Sequence, residues 1–152
     1  MPDPRSRRCL EPGLSILVGT VDPQCVPACC RAIAIASDDD LQTLTVYVPV
    51  ATSQDTIRNI ALTGRIAVAA SNPVDNCSTQ VKGTTTEARL AREDEKDRVR
   101  GGLDALADVL DRIGVPRRRT SGISHWPAFA ITMRVEQIFD QTPGPQAGSR
   151  IR

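Results

Sequence analysis

No apolar run in the 152-residue sequence approaches the ~18 residues of a membrane span, and residues 1–11 carry charges and prolines where a signal peptide needs a hydrophobic stretch. The expectation is a cytoplasmic protein with no membrane partner. An excess of one charge is also missing. Nineteen Lys plus Arg stand against 18 Asp plus Glu, a formal charge of +1, which argues against nucleic acid as the main partner. The single histidine, His125, lies far downstream of Cys25, Cys29 and Cys30, and no second Cys/His cluster follows, so no metal site is expected. With Cys9 and Cys77 the cysteines number five, and an odd count without export signals reads as reduced thiols. A Ser-His-Asp order, a paired-carboxylate motif, a Walker loop and a Gly-x-Gly-x-x-Gly pattern are all lacking. Hydrolysis, glycoside cleavage and kinase chemistry are left without support, so any chemistry falls mostly to a cofactor.

What is present is alternation. At 40% hydrophobic and 24% charged, the chain fits a single domain over residues 1–152, with irregular termini at 1–12 and 141–152. Leu14 to Thr20 is β-branched and apolar, Val21-Asp22-Pro23-Gln24 supplies turn residues, and Cys29 to Ser37 forms a second extended run, which together predict a hairpin. Within that run Arg31, Ile33 and Ile35 are expected on one face. Cys30, Ala32, Ala34 and Ala36 form a small-residue face that leaves room for something to approach closely. Leu44, Val46, Val48 and Val50 mark a third strand, with Pro49 at a sheet edge or bulge.

From Thr52 the period becomes helical, with Ile57, Ile60 and Ala61 after a Thr52-x-x-Asp55 capping-box-like start and Gly64 as the stop. Ile66, Val68 and Ala70 resume the alternation. Thr79 to Ala88 then puts Gln80, Lys82, Thr84 and Thr86 on one face, and Gly83 suggests a bulge or a close backbone approach. Glu93 to Ile113 is an amphipathic helix carrying Val99, Leu103, Leu106, Leu110 and Ile113. Its Gly101-Gly102 pair reads either as a tolerated weak point or as a close helix contact. Ala128 to Phe139 closes the fold with Phe129, Ile131, Met133 and Val135 on one face, and Asp140 to Arg152 is expected to lie irregular on the surface. The fold class is β-dominated α+β, an antiparallel barrel of about six strands with outer helices.

The succession of hairpin, Arg-bearing strand, Val46-Tyr47-Val48-Pro49 leading into a short helix, strand, Gln80-Val81-Lys82-Gly83, long helix and closing strand resembles the pyridoxamine 5'-phosphate oxidase-related family of FMN-binding split barrels. The resemblance runs from Leu14 to Phe139, and Asp140-Gln141-Thr142-Pro143-Gly144-Pro145 resembles the end of an uncharacterised bacterial branch. It implies a split barrel, a homodimer, and FMN in a groove at the dimer interface, with possible oxidoreductase activity on a small molecule. By position it places Arg31 at the phosphate or ribityl chain and the backbone of Val48 and Pro49 at the flavin ring. Ser53, Gln54 and Thr56 fall at the helix start that favours a phosphate. Gln80 and Lys82 fall at the ribityl chain or pyrimidine edge, where a positive charge stabilises reduced flavin.

Two departures stand out. Gln54-Asp55-Thr56 replaces the family's Ser-x-Lys or Ser-Arg-Lys run, and the last strand lacks the Trp- and Arg-containing signature of true pyridoxamine phosphate oxidases, so vitamin B6 synthesis is rejected. A non-catalytic dimeric module holding flavin weakly, or haem, is the alternative, and an empty-groove scaffold a third reading. Taken by themselves, Arg31 needs an anion, a carboxylate or solvent, and Lys82 is either a ligand cation or a solvated lysine. His125-Trp126 faces a ligand or anchors a loop, and Arg117-Arg118-Arg119 either attracts phosphate or caps a helix C-terminus.

Overall fold

The computed structural model describes residues 10–152 together with Arg7; Cys9 and the rest of the N-terminal stretch lie outside the described residues. Seven strands form one antiparallel sheet: β1 (Ser15–Val21), β2 (Pro27–Ala32), β3 (Ala34–Ser37), β4 (Thr43–Pro49), β5 (Arg65–Ser71), β6 (Ser78–Leu90) and β7 (Ala128–Asp140). Their order is β2-β1-β5-β6-β7-β4-β3, so the two outermost strands are consecutive in the chain. The sheet therefore curls until its edges meet at Ile33, whose N–H donates to Tyr47 O of β4 at 2.8 Å. The chain itself joins the two edges there, while β2 and β3 each pair with a single neighbour.

The expected single strand from Cys29 to Ser37 is corrected here. It breaks at Ile33, its first half pairing with β1 and its second with β4, which makes seven segments rather than six. The break also flips the faces. Cys30, Ala32 and Ile35 join the barrel interior, whereas Ile33, Ala34 and Ala36 join a second cluster outside it. The large residues of this run do not share one face.

Inside the barrel, Ile16 and Val18 of β1, Val46 and Val48 of β4, Val68 of β5, Val81 of β6 and Ile131 and Met133 of β7 are buried together, the inward half of each alternation. Gly83 sits at a register shift between Lys82 and Gly83, and a Cβ there would stand 1.9 Å from Arg134 O. The glycine is required by the close approach of β7.

Helix α1 (Gln54–Thr63) closes one end of the barrel with Ile60 and ends at Gly64, which adopts φ +68°. The expected capping box at Thr52 does not form. Ser53 is the N-cap, and its hydroxyl donates to Pro49 O at 2.7 Å, satisfying the carbonyl left by the end of β4. Helix α2 (Lys96–Arg112) packs across β3 through Val99 and Leu103. Gly102 makes that contact possible, since a Cβ would stand 2.3 Å from Ile33 O, while one on Gly101 meets nothing. Ile113 was expected on the buried stripe but is exposed, because the helix ends at Arg112 and Gly114 turns the chain away.

The start of α2 is clamped by charge. Arg89 of β6 donates to both Glu95 oxygens, at 2.7 and 2.9 Å, Arg92 N–H donates at 2.7 Å, and the Tyr47 hydroxyl donates at 3.0 Å. The Arg89 guanidinium first, then these other donors, hold the Glu95 carboxyl down at about 2. The C-terminal tail holds little regular structure but is docked: Ile151 packs on the core, and Arg152 donates to Leu41 O at 2.9 Å. No helix among the described residues is long and apolar enough to cross a membrane.

Candidate functional site

Register fixes which outward-facing residues are neighbours. On the outer face of β2-β1-β5-β6, Arg31, Leu17, Ala69 and Gln80 form one row, and Cys29, Gly19, Ala67 and Lys82 form the next. Arg31, Gln80 and Lys82 are thus brought onto one surface. The second row floors a cleft of about 340 Å³, whose lining includes Gly19, Ala28, Cys29, Ala67, Arg65 and Lys82. Beyond the ridge Pro27-Ala28-Cys29 lies a second cleft of about 350 Å³, lined by that ridge, Ala51, Thr52 and the first turn of α1 at Gln54, Asp55 and Thr56. The two clefts share that ridge as a wall, one on each side of it.

The eight residues named from sequence are distributed as follows. Gln54 is exposed in the second cleft, and Lys82 lines the first, with its ammonium 5.0 Å from the Phe139 ring centroid. Gln80 lies beside Lys82 on β6, and its side-chain oxygen accepts from Gln141 at 3.4 Å. The Arg31 guanidinium turns to β1, donating to Ser15 Oγ at 3.0 Å, and lines neither cleft. Val48 and Pro49 are buried, in ladder register with Phe129 and Ala128. Ser53 is fully buried with its hydroxyl spent on Pro49. Thr56 is buried as well, and its hydroxyl donates to Cys30 Sγ at 3.3 Å. Burial pushes the Cys30 thiol up, an effect the Thr56 hydrogen bond opposes.

A flavin nucleotide asks for a flat apolar floor, a pole for its phosphate and polar groups along its length. Gly19 offers the floor, since a Cβ there meets nothing closer than Ala67 O at 4.0 Å. The groove supplies cations at Arg65 and Lys82 and the amide side chain of Gln54, so its residues fit a planar anionic ligand. The pole at α1 is weaker than the sequence suggested, because Ser53 and Thr56 aim their hydroxyls inward and Asp55 stands in the first turn, paired with Arg58 at 3.0 Å. Peptide N–H groups remain the main donors there.

Sequence reading passed over Arg65, which opens β5 directly after Gly64. The inward residues Ile66, Val68 and Ala70 were read, whereas the outward set Arg65, Ala67, Ala69 and Ser71 carried the signal: small residues headed by a cation. His125 and Trp126 belong elsewhere. His125 Nδ1 lies 3.2 Å from Ile123 O, Trp126 packs in the cluster under α2, and Lys96 stands 5.6 Å from its ring centroid. Arg117 pairs with Asp108 of α2. Cys25, Cys29 and Cys30 are free thiols, and no group of three metal-ligating side chains occurs among the described residues.

No protein-family model and no curated protein matches the chain. Solved structures do. HupZ of Group A Streptococcus superposes with a TM-score of 0.57 at 21% identity, covering 97% of this chain and 100% of that one. A candidate pyridoxamine 5'-phosphate oxidase from Lactobacillus delbrueckii gives 0.55 at 14%, covering 90% and 92%. An FMN-binding protein from Syntrophomonas wolfei gives 0.50 at 15%, covering 88% and 86%. At these identities the likeness establishes the fold alone, a split barrel of the kind these structures share.

Proposed function

Starting from a fold shared with FMN-binding split barrels, we propose that this protein is a cytoplasmic, homodimeric flavoprotein that binds FMN in the outer groove and passes electrons between it and a small molecule. The observation that carries the reading is the pair of adjacent clefts on either side of Pro27–Cys29, one reaching the first turn of α1 and the other Lys82 on β6. A bound flavin supplies the electron-transfer chemistry that no side-chain constellation here provides. The chain's own part is to hold and orient. The first amides of α1 and the Gln54 side chain face the phosphate, Gly19 and Ala67 form the floor, and Gln80 and Lys82 hold the far end. Arg31 flanks the adjoining row. Leu17, 43% exposed between Arg31 and Ala69, gives the outer face an apolar centre that a second copy covers.

The test is the absorption spectrum of freshly purified protein, followed by FMN titration if it is colourless. Flavin bands, or saturable binding in the micromolar range, support the reading. A colourless protein that leaves FMN fluorescence unchanged overturns it. A second reading, a dimeric binding module that holds flavin weakly or takes haem, draws on the inward hydroxyls of Ser53 and Thr56 and on the acidic first turn. A Soret band in the same spectrum selects it.

A further inference from the structure

Where β2 and β3 part at Ile33, a cleft of about 210 Å³ lies between the chain entering β1 and the first turns of α2. Its lining shares no residue with either cleft beside Pro27–Cys29. Leu14 and Ile16 of the barrel core line it together with the partly buried Ile35, and so do Ile33 and Ala34 of the second cluster. The two apolar cores therefore meet in this cleft. Gly101 lines it as well and has no packing reason to be glycine, since a Cβ there meets nothing within 4 Å and glycine inside a helix is weaker than alanine. It leaves room at the mouth. The charged lining residues are Glu11 and Arg98, both exposed, and neither forms an ion pair within 4 Å among the described residues, whereas Arg58, Arg89, Lys96, Arg117 and Arg134 each do.

We infer that this cleft is a second ligand site, separate from the flavin groove, taking a small apolar carboxylic acid whose hydrocarbon part lies on Ile33 and Ile35 and whose carboxylate meets Arg98. A volume below the ~300 Å³ of a drug-sized site suits a short chain or a single ring. Covering apolar side chains of both cores supplies the attraction, and the guanidinium, which binds a carboxylate through two N–H groups, selects the head. An amine would choose Glu11 instead. Arg98, however, stands on a helix seated by Val99 and Leu103, whereas Glu11 stands on the irregular chain before β1, so the cation is the better-placed partner. Glu11 repels a carboxylate turned toward it and so orients the head.

The experiment titrates sodium octanoate into the protein as purified and follows the isoleucine methyl groups by NMR, with octanol and octylamine as comparators. Saturable shifts at Ile33 and Ile35 are expected, with Ile60 and Ile138, which do not line the cleft, unmoved. Octanoate should bind at least threefold more tightly than octanol or octylamine, a margin set by one exposed charge. Arg98→Gln should abolish that preference and leave octanol binding unchanged. Gly101→Leu should weaken octanoate tenfold or more by filling the mouth, whereas Gly101→Ala, whose Cβ meets nothing, should retain it. A melting temperature within a few degrees of the wild type, measured on each variant, separates loss of the site from loss of the fold. The inference is overturned if millimolar octanoate leaves Ile33 and Ile35 unshifted, if a folded Gly101→Leu binds as the wild type does, or if octanol or octylamine binds as tightly as octanoate. Flavin affinity enters none of these readouts, so the groove and this cleft stand or fall separately.

Discussion

The two helices rest on the same barrel in opposite ways. Helix α2 is seated by apolar contacts: Val99, Leu103, Leu106 and Ala107 are its buried residues, Gly102 brings its backbone against Ile33, and Glu95 ties its start to β6 and β4. Helix α1 buries Thr56, Asn59 and Ile60, two of them polar. Its seam runs through Thr56 to Cys30, Asn59 Nδ2 to Thr20 Oγ1 at 3.3 Å, and Thr63 Oγ1 to Val21 O at 2.9 Å, while Asn59 Oδ1 is buried with no partner. A polar seam with an orphaned acceptor contributes less net stability than apolar burial of the same size. The helix that faces the groove is thus seated partly through polar side chains, beside Ile60 in the barrel core, and the helix remote from it through apolar ones.

Truncation gives the largest expected contrast. Leu106→Ala should cost about 2–5 kcal/mol by opening a cavity under α2. Asn59→Ala should cost about 1 kcal/mol or less, since it removes one modest hydrogen bond together with an unpaired oxygen. Chemical denaturation of both variants measures the difference, and equal losses would erase the distinction between the helices.

The clamp at Glu95 comes next. Its carboxyl is depressed from 4.5 to about 2 in the folded chain, so its contribution is fully present above pH ~4.5 and disappears as pH falls toward 2. Glu95→Gln should lose about 1.5–3 kcal/mol at pH 7 and show a flatter stability profile between pH 5 and pH 2 (roughly the window of the shift). Thermal melts across that range check both the size and the sign.

The neighbouring glycines of α2 should respond in opposite directions. Gly102→Ala pushes a Cβ to 2.3 Å from Ile33 O and should destabilise by about 1–3 kcal/mol or more. Gly101→Ala, whose Cβ meets nothing, should stabilise by up to about 1 kcal/mol through helix propensity.

These cases also show what the sequence could reveal. The inward alternation of Ile66, Val68 and Ala70 was legible, because a period of two with one buried face admits a single register. The break at Ile33 was not. Ile33 and Ala34 are both apolar and suit either face, and the choice is made by Tyr47 O and by Gly102, residues distant in sequence. At the site, the position of α1 and of Gln54 was legible from Gly64 and the helical spacing. The inward turn of Ser53 was hidden, because its partner is the carbonyl of Pro49, freed only by where β4 ends. Hydroxyls at a helix start look alike in sequence whether they face a phosphate or the core.

The smallest expected effect sharpens the role of α1. Asp55 is largely exposed and already shares its charge with Arg58, so Asp55→Arg should tighten FMN by only about two- to fivefold at low salt, from ~0.3–1 kcal/mol at the helix start. The gain should shrink at high salt, as a screened interaction does. Fluorescence titration at two ionic strengths reads it.

Hydrogen exchange of the wild-type protein with and without saturating FMN tests the central claim most directly, because it maps ligand and helix seating at once. The account expects slowed exchange at the amides of Gln54, Asp55, Thr56, Ala28 and Cys29, with the amides of α2 from Val99 to Ala107 unchanged. Protection confined to α2, or none anywhere at an FMN concentration that saturates the absorbance change, would contradict it.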